Sequence, residues 1–386
     1  MKKAVKFIFI FTVILIALFF LAVPPYLDNN MNRHTGSNIE ITEQAKSLHQ
    51  TLFVADLHND ALLWGRDLRK KNTRGLTDIP RLIEGNMALQ GFSVVTKTPA
   101  GLNIERNDDK SDMVFWGGLA QAWPPSALGS LVERALMMAD NLRALDQSQA
   151  NFYLIRSQAD LKAFIAHKNL DAKILGGWLT LEGAHALEGD LNNLQRLYDA
   201  GYRMIAPTHF FDTEIAGSAH GITKGGLTEL GQQWVALMEK KSIIIDLAHI
   251  SPKAFDDIIK IATRPVVVSH TGVRGTCDNN RNLSDEQIRA VANTGGLIGI
   301  GFWSTAVCGD DVHAIARAMI YTANLVGAEH VALGSDYDGA VASPIDGTQL
   351  IHITQALLMA GMSEPDITKV MGANLQKFLL SNLPQQ

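Results

Sequence analysis

Residues 242–270 read SIIIDLAHISPKAFDDIIKIATRPVVVSH: two apolar, β-branched runs, each closed by a histidine, His249 and His270, with a segment of helical period between them. Continuous Val/Ile runs of this length suit strands buried on both faces. Ser251 followed by Pro252 supplies a cap and a first helical position for the segment between them. The 21 residues from one histidine to the other hold one helix and one strand, the unit of a parallel sheet covered by helices.

The same unit recurs in both directions. Candidate strands are TLFVADLH (51–58), ALQGFSVVTK (88–97), AKILGGWLTLE (172–182), YRMIAPTH (202–209), SIIIDLAH (242–249), RPVVVSH (264–270), GLIGIGFW (296–303) and HVALGSD (330–336). Helical patterns fall at Ser130–Leu145, Leu191–Ala200, Leu227–Lys240, Pro252–Ala262, Ser284–Asn293 and Asp311–Val326, and Ser284 opens a capping box. Eight units over about 300 residues predict an α/β fold, a (β/α)8 TIM-type barrel, rather than an open sheet. Most runs end in His, Asp or Glu. A barrel gathers its strand C-termini on one face, so that face is expected to be the active site. Thr98–Gln149 enlarges the second unit; its 98–125 stretch, with Trp116, Trp123, Pro124 and Pro125, is expected to overhang the site or to pack at a subunit contact.

Of the 386 residues 47% are hydrophobic and 19% charged, enough to bury a large core, and the net charge of -5 leaves no basic face for nucleic acid. Lys2, Lys3 and Lys6 precede an apolar run from Phe7 to Val23, a signal anchor or a signal peptide over residues 1–27. Positive charge on its amino side predicts a cytoplasmic amino end and an exported remainder. Without a small-x-small site after Val23 an uncleaved anchor is favoured, facing the periplasm from the inner membrane; cleavage would leave a periplasmic or secreted protein. Residues 28–38 read as a polar linker, and 39–386 as the catalytic barrel.

Within DLHND, His58 and Asp60 are two apart, so an extended backbone would point both to one side at the end of the first strand. Alone the pair means little; its weight comes from the later strand ends. Glu182 follows an apolar strand, where a carboxylate is costly to bury unless paired or metal-bound, and it can bridge two cations. His249 and His270 offer imidazoles suited to zinc. Asp336, in GSDYDG, could take a proton from a water, while Asp338 reads as the start of the Asp-Gly turn. His209 is placed to hydrogen-bond an oxyanion. Arg281, on the loop after His270, could hold a carboxylate in a fork, whereas Arg274 reads as a surface residue. His185, His220, His313, His330 and His352 read as structural or surface, with His185 near enough to Glu182 to support it. Together the set describes a two-metal hydrolase.

DLHND, LTLEGAHAL, APTHF, IDLAHIS, VVVSHTG, RNLSD, LGSDYDG and MGANLQKFL, in this order, resemble the membrane dipeptidase (renal dipeptidase) family from about Phe53 to Leu380. The resemblance implies two zinc ions per chain, one held by His58 and Asp60, the other by His249 and His270, with Glu182 bridging. It implies that His209 stabilises the tetrahedral intermediate, that Arg281 grips the substrate's terminal carboxylate, and that Asp336 handles the proton of the attacking water. It further implies dipeptide substrates, some with a carboxyl-side D-residue or a β-lactam amide, a homodimer, and a Cys277–Cys308 disulfide between the loops after the sixth and seventh strands. GFWST (301–305) departs from the Asn- and Tyr-rich run usual there, and so alters the side-chain pocket. A barrel hydrolase of cyclic amides would carry His-x-His where this chain has Asp60; a tethered factor for peptide-siderophore maturation is the alternative within the family.

Overall fold

The computed structural model describes residues 2–148 and 151–386. Eight parallel strands form its centre: β1 Val54–Asn59, β2 Met87–Val95, β3 Leu175–Glu182, β4 Tyr202–Ile205, β5 Ile244–Ile245, β6 Val267–Thr271, β7 Leu297–Ile300 and β8 Val331–Leu333. They pair in the order β5-β4-β3-β2-β1-β8-β7-β6. A parallel bridge between Asp246 and Val267, with the Leu247 N–H donating to the Val267 carbonyl at 2.7 Å, brings the two ends of that path together. The result is the expected (β/α)8 barrel.

Each strand sends a side chain into one interior cluster: Leu57, Leu89, Trp178, Met204, Ile244, Val267, Leu297 and Ala332. Alternation puts Gly176, Trp178, Thr180 and Glu182 on the same side of β3, so Trp178 fills the barrel while Glu182 reaches its mouth. The same cluster continues into Leu375, Phe378 and Leu379 of the final helix, Asn374–Asn382. A second, larger cluster joins the outward side chains of the strands to the surrounding helices. These include Leu131–Ser148, Asn192–Ala200, Glu229–Lys240, Pro252–Ile261, Asp285–Asn293 and Val312–Val326. Ser251 accepts from the Ala254 N–H, and Ser284 with Gln287 closes the capping box.

Several elements differ from the sequence reading for identifiable reasons. Of the run 242–249 only Ile244–Ile245 is regular strand; Asp246 and Leu247 still bond through their backbone to Ile205 and Val267, while the Asp246 carboxylate accepts from the Ala248 and Ser269 amides. Phe152–Leu154 adds a short parallel strand to β3 outside the barrel path, too brief a run to be read beforehand. The enlarged second unit contributes helices Met113–Ala120 and Pro125–Gly129.

The stretch 28–38, expected to be a polar linker, is mostly exposed, but two of its residues, Asp28 and Asn32, are buried in the domain. The amino-terminal helix runs Lys2–Met31, and Asp28 near its end is fully buried. Its carboxylate meets Arg66 at 3.1 Å and Arg74 at 2.8 Å, and Arg33–His34 pairs with Ala342–Ser343 as a two-stranded ribbon.

Asp338 does more than begin a turn. Fully buried, it takes a forked pair from Arg66, at 3.2 and 2.5 Å, and accepts from the Leu76 and Thr77 amides and the Thr77 hydroxyl. Arg66 thereby joins the amino-terminal helix to the loop after β8. Removing one member of a buried, hydrogen-bonded pair leaves the other charge uncompensated. Asp338→Ala is therefore expected to destabilise the fold by about 3–5 kcal/mol, measured by denaturant unfolding.

Cys277 and Cys308 are bonded across 31 residues, linking the loops after β6 and β7. Loop-closure entropy assigns this link about 3–4 kcal/mol. A double Cys→Ser variant should unfold at correspondingly lower denaturant, and reductant should shift the parent chain but not the variant.

Candidate active site

Glu182 sits at the centre of the barrel mouth, 3% exposed. Its Oε1 lies 2.8 Å from His249 Nε2 and 3.1 Å from His270 Nε2. Its Oε2 lies 3.4 Å from His209 Nε2 and 3.9 Å from His58 Nε2. The two carboxylate oxygens thus face two separate pairs of imidazoles. Asp60 Oδ2 is 3.4 Å and Asp336 Oδ1 3.8 Å from His58 Nε2, so the carboxylates of β1 and of the loop after β8 gather on the His58 side. The site residues expected at strand ends, His58, Asp60, Glu182, His209, His249, His270 and Asp336, converge here together with Arg281.

Positions near the strand ends hold this arrangement. Extended backbone stops at Asn59, and Asp60 opens a short 3-10 turn, Ala61–Trp64. Asp60 still converges with His58, because its N–H donates to the Tyr337 carbonyl at 2.8 Å. His249 and Asp336 both adopt left-handed backbone, with φ of 60° and 58°. A Cβ at Gly339 would come within 2.1 Å of Asp336 Oδ1 and 2.9 Å of Asp60 Oδ2, so any larger residue there would displace these two carboxylates.

Behind the site lie buried polar residues that sequence reasoning missed. The Ser269 hydroxyl contacts His270 Nδ1 at 2.8 Å and donates to Asp246 at 2.5 Å, which fixes that ring. Asp56 accepts from the Ser335 hydroxyl and amide and from Gln90, tying β1 to β8 and β2 beneath His58. Their signal was available: an Asp inside an apolar strand, as in IIIDLAH and FVADLH, is costly to bury without such partners. His220 is likewise buried, its ring 5.1 Å from that of His249 and its Nδ1 on the Ile104 carbonyl. His185 pairs with Thr96 rather than touching Glu182, and Arg274 and His313 are exposed.

The electrostatics suit metal binding. Burial, followed by the charges of Arg281 and neighbouring imidazoles, holds His249 well below the usual histidine range; burial and the neighbouring His58 do so for His270. Both rings are therefore neutral and can offer lone pairs. Burial, then the nearby Asp60, raises the Glu182 carboxyl well above its ordinary value. Burial lowers His58, but Asp60 and Glu182 outweigh it and push the ring up to about 10. A site that draws protons onto its carboxylates and one imidazole is short of positive charge. Among the described residues His58 Nε2 and Asp60 Oδ1 have no hydrogen-bond partner although both are buried. Three overlapping groups, His58–Glu182–His270, Glu182–His209–His249 and His58–Asp60–Asp336, each bring three donor atoms within 4.8 Å. The imidazole and carboxylate donors present fit a pair of divalent ions.

A cleft of about 420 Å³ opens over this centre. Thr98, Leu102, Asn103 and Ile104 form one wall, so the enlarged second unit does overhang the site. Trp303, Ser304 and Thr305 form another, beside Arg281. Arg281 is 7% exposed; its Nη2 donates to the His270 carbonyl at 2.7 Å, and its guanidinium lies 5.5 Å from the Trp303 ring.

Comparison with known proteins is consistent with this geometry. The family model described as membrane dipeptidase (peptidase family M19) matches residues 42–381. Dipeptidase aclJ of Aspergillus oryzae is 25% identical over 348 residues, 84% of this chain and 77% of that protein. A crystal structure of the dipeptidase AC, a metallopeptidase of family M19, superposes with a TM-score of 0.71 at 25% identity, over 87% of this chain and 100% of the other. A metallopeptidase from Rhodobacter sphaeroides, liganded with a phosphinate mimic of the dipeptide L-Ala-D-Ala, superposes with a TM-score of 0.67 at 24% identity, over 86% and 99%. With the barrel, the cleft and a metal-ready strand-end cluster in agreement with that match, the chain belongs to the membrane dipeptidase family, and is a hydrolase of the metallo-dipeptidase type.

Proposed function

We propose that this protein is a membrane-tethered dipeptidase that uses two zinc ions to cleave dipeptides with a free carboxyl terminus. The observation that carries the reading is the division of Glu182 between His249 and His270 on one oxygen and His58, beside Asp60, on the other, which suits a carboxylate shared by two ions. His58 and Asp60 would hold one, His249 and His270 the other. Bound zinc supplies an activated water and polarisation of the scissile carbonyl.

The chain's own residues do the rest. Arg281 offers a guanidinium at the cleft wall, where it can take the substrate's terminal carboxylate as a fork. Asp336, raised well above the carboxylate range by burial, has the proton affinity to accept a proton from the attacking water and return it to the leaving amine. Burial holds His209 neutral, so one ring nitrogen carries a hydrogen to donate to the developing oxyanion. Trp303, which replaces the usual polar run, gives the cleft an apolar side wall. The ligand of the Rhodobacter relative supports including a D-residue at the carboxyl side among the substrates.

The apolar helix over Val5–Met31 is long enough to cross a membrane, and Lys2 and Lys3 before it support an amino end in the cytoplasm with the barrel in the periplasm. Its retention is supported by the contacts of its carboxyl end: Asp28 is a buried partner of Arg66, and Met31 and Arg33 line the cleft.

Full-length protein should carry two zinc per chain by elemental analysis and cleave members of a dipeptide panel that includes D-residues. Glu182→Gln should lose zinc and lower kcat by about 10²–10³-fold or more, since each ion stabilises the transition state by several kcal/mol. A parent chain with two zinc that cleaves no dipeptide overturns the reading. Arg281→Lys, retaining charge but losing the fork, should lower kcat/KM by about tenfold or more on free dipeptides. On carboxyl-amidated dipeptides it should have little effect.

A further inference from the structure

The amino-terminal helix does not leave the barrel at an arbitrary place. Where it meets the domain, through half-buried Val23, Pro24, Pro25 and Leu27 and buried Asp28, it packs against the helix Met113–Ala120 and the turn Ala61–Trp64, both beside the barrel mouth. Its apolar run is Phe7–Val23, and the helix continues through Pro24 to Met31. At about 1.5 Å per residue the run covers about 25 Å, close to the hydrocarbon core of about 30 Å. The continuation from Pro24 falls in the headgroup layer, and its end is the part that is buried against the domain.

The docking partner on the domain side is itself apolar and open. Met113 and Trp116 are 47% and 56% exposed on Met113–Ala120, and Leu102 and Met31, at 44% and 41%, stand at the lip of the cleft. Among the described residues Trp116 is the one tryptophan of the chain's six that is exposed. Tryptophan at the level where a spanning helix emerges suits the boundary between headgroups and acyl chains.

We infer that Leu102, Met113 and Trp116 form a second membrane contact, which lays the active-site rim on the bilayer surface so that the cleft opens along that surface. The partner is the lipid interface itself, because the patch is continuous with the helix that crosses it. Two points of contact fix the barrel's tilt, where one helix alone would leave it free to swing. The inference rests on the proposed retention of the helix as an anchor.

The test uses the full chain in vesicles of phosphatidylcholine and phosphatidylglycerol, some containing a nitroxide-labelled phosphatidylcholine with the label near the headgroup. Co-flotation with vesicles reports the anchor. Lipid-borne quenching of tryptophan fluorescence reports the rim. The expected result is co-flotation, strong quenching by the nitroxide lipid, weak quenching by aqueous iodide, and loss of the lipid quenching in Trp116→Phe, which still floats. Flotation with Trp116 open to iodide and untouched by the nitroxide would overturn the rim contact and leave the anchor standing. Protection of Trp116 from both quenchers would mean that a protein surface, such as a second copy of this chain, covers the patch, and would equally overturn it. Failure to float would remove the anchor and this inference with it.

Discussion

Burying the carboxylate of Glu182 is the constraint on which the site depends. An isolated carboxylate in a medium from which water is excluded is penalised by several kcal/mol even after relaxation. Here two further carboxylates, Asp60 and Asp336, crowd the same mouth and worsen the cost. Four imidazoles do not relieve it while they are neutral, which burial makes three of them. The arrangement becomes favourable only when cations supply the missing charge, and so it doubles as a metal site under the proposed reading. The barrel provides what such a cluster requires: strand ends from around a ring that converge from fixed directions onto one point.

Those directions are set one layer deeper. Asp56 and Asp246 occupy strand positions where an apolar residue would pack better, and each is held by a serine on a neighbouring strand, Ser335 and Ser269. Beneath His270 the Ser269 hydroxyl joins Asp246 to the ring itself, at Nδ1, whereas beneath His58 the Ser335 hydroxyl joins Asp56 to the backbone carbonyl. Both cost packing and gain orientation: the His270 ring, its second nitrogen engaged, no longer rotates freely, and the His58 backbone is tied to the loop after β8. Arg66 performs the same service for the loop after β8, with Asp338 on one side and Asp28 on the other.

The sequence carried the barrel and the convergent residues because both depend on local pattern. Alternation in GGWLTLE aims Glu182 inward, and apolar runs ending in His or Asp mark strand C-termini. The Asp338 hub was not legible, because its partners Leu76 and Thr77 lie 262 and 261 residues away and polar loop residues look solvated in one dimension. The burial of Asp28 and Asn32 was hidden for the same reason: Asp28 is paired with Arg66 and Arg74, and Asn32 with Asp28, contacts that local polarity does not announce. The shortness of β5 was also hidden, since SIIIDLAH reads as one continuous strand, and its single interior Asp, which accepts from the Ala248 and Ser269 amides, signals burial of a polar group but not where the strand ends.

Left-handed backbone at His249, Asp336 and Asp338 joins these observations. Each such residue, lacking glycine's freedom, costs on the order of 1–2 kcal/mol, and three in one mouth would unravel unless their surroundings imposed the conformation. At His249 the carbonyl accepts from the Ala219 amide at 2.8 Å, the Ser218 hydroxyl at 3.1 Å and the Thr208 hydroxyl at 3.2 Å, so the turn is fixed from the β4 side as well. At Asp336 the amide is held by the His58 carbonyl and the carbonyl by the Gly339 amide. Both side chains end in the cluster at the mouth, His249 Nε2 at 2.8 Å from Glu182 and Asp336 Oδ1 at 3.8 Å from His58, so the strain and the chemistry coincide in the same residues.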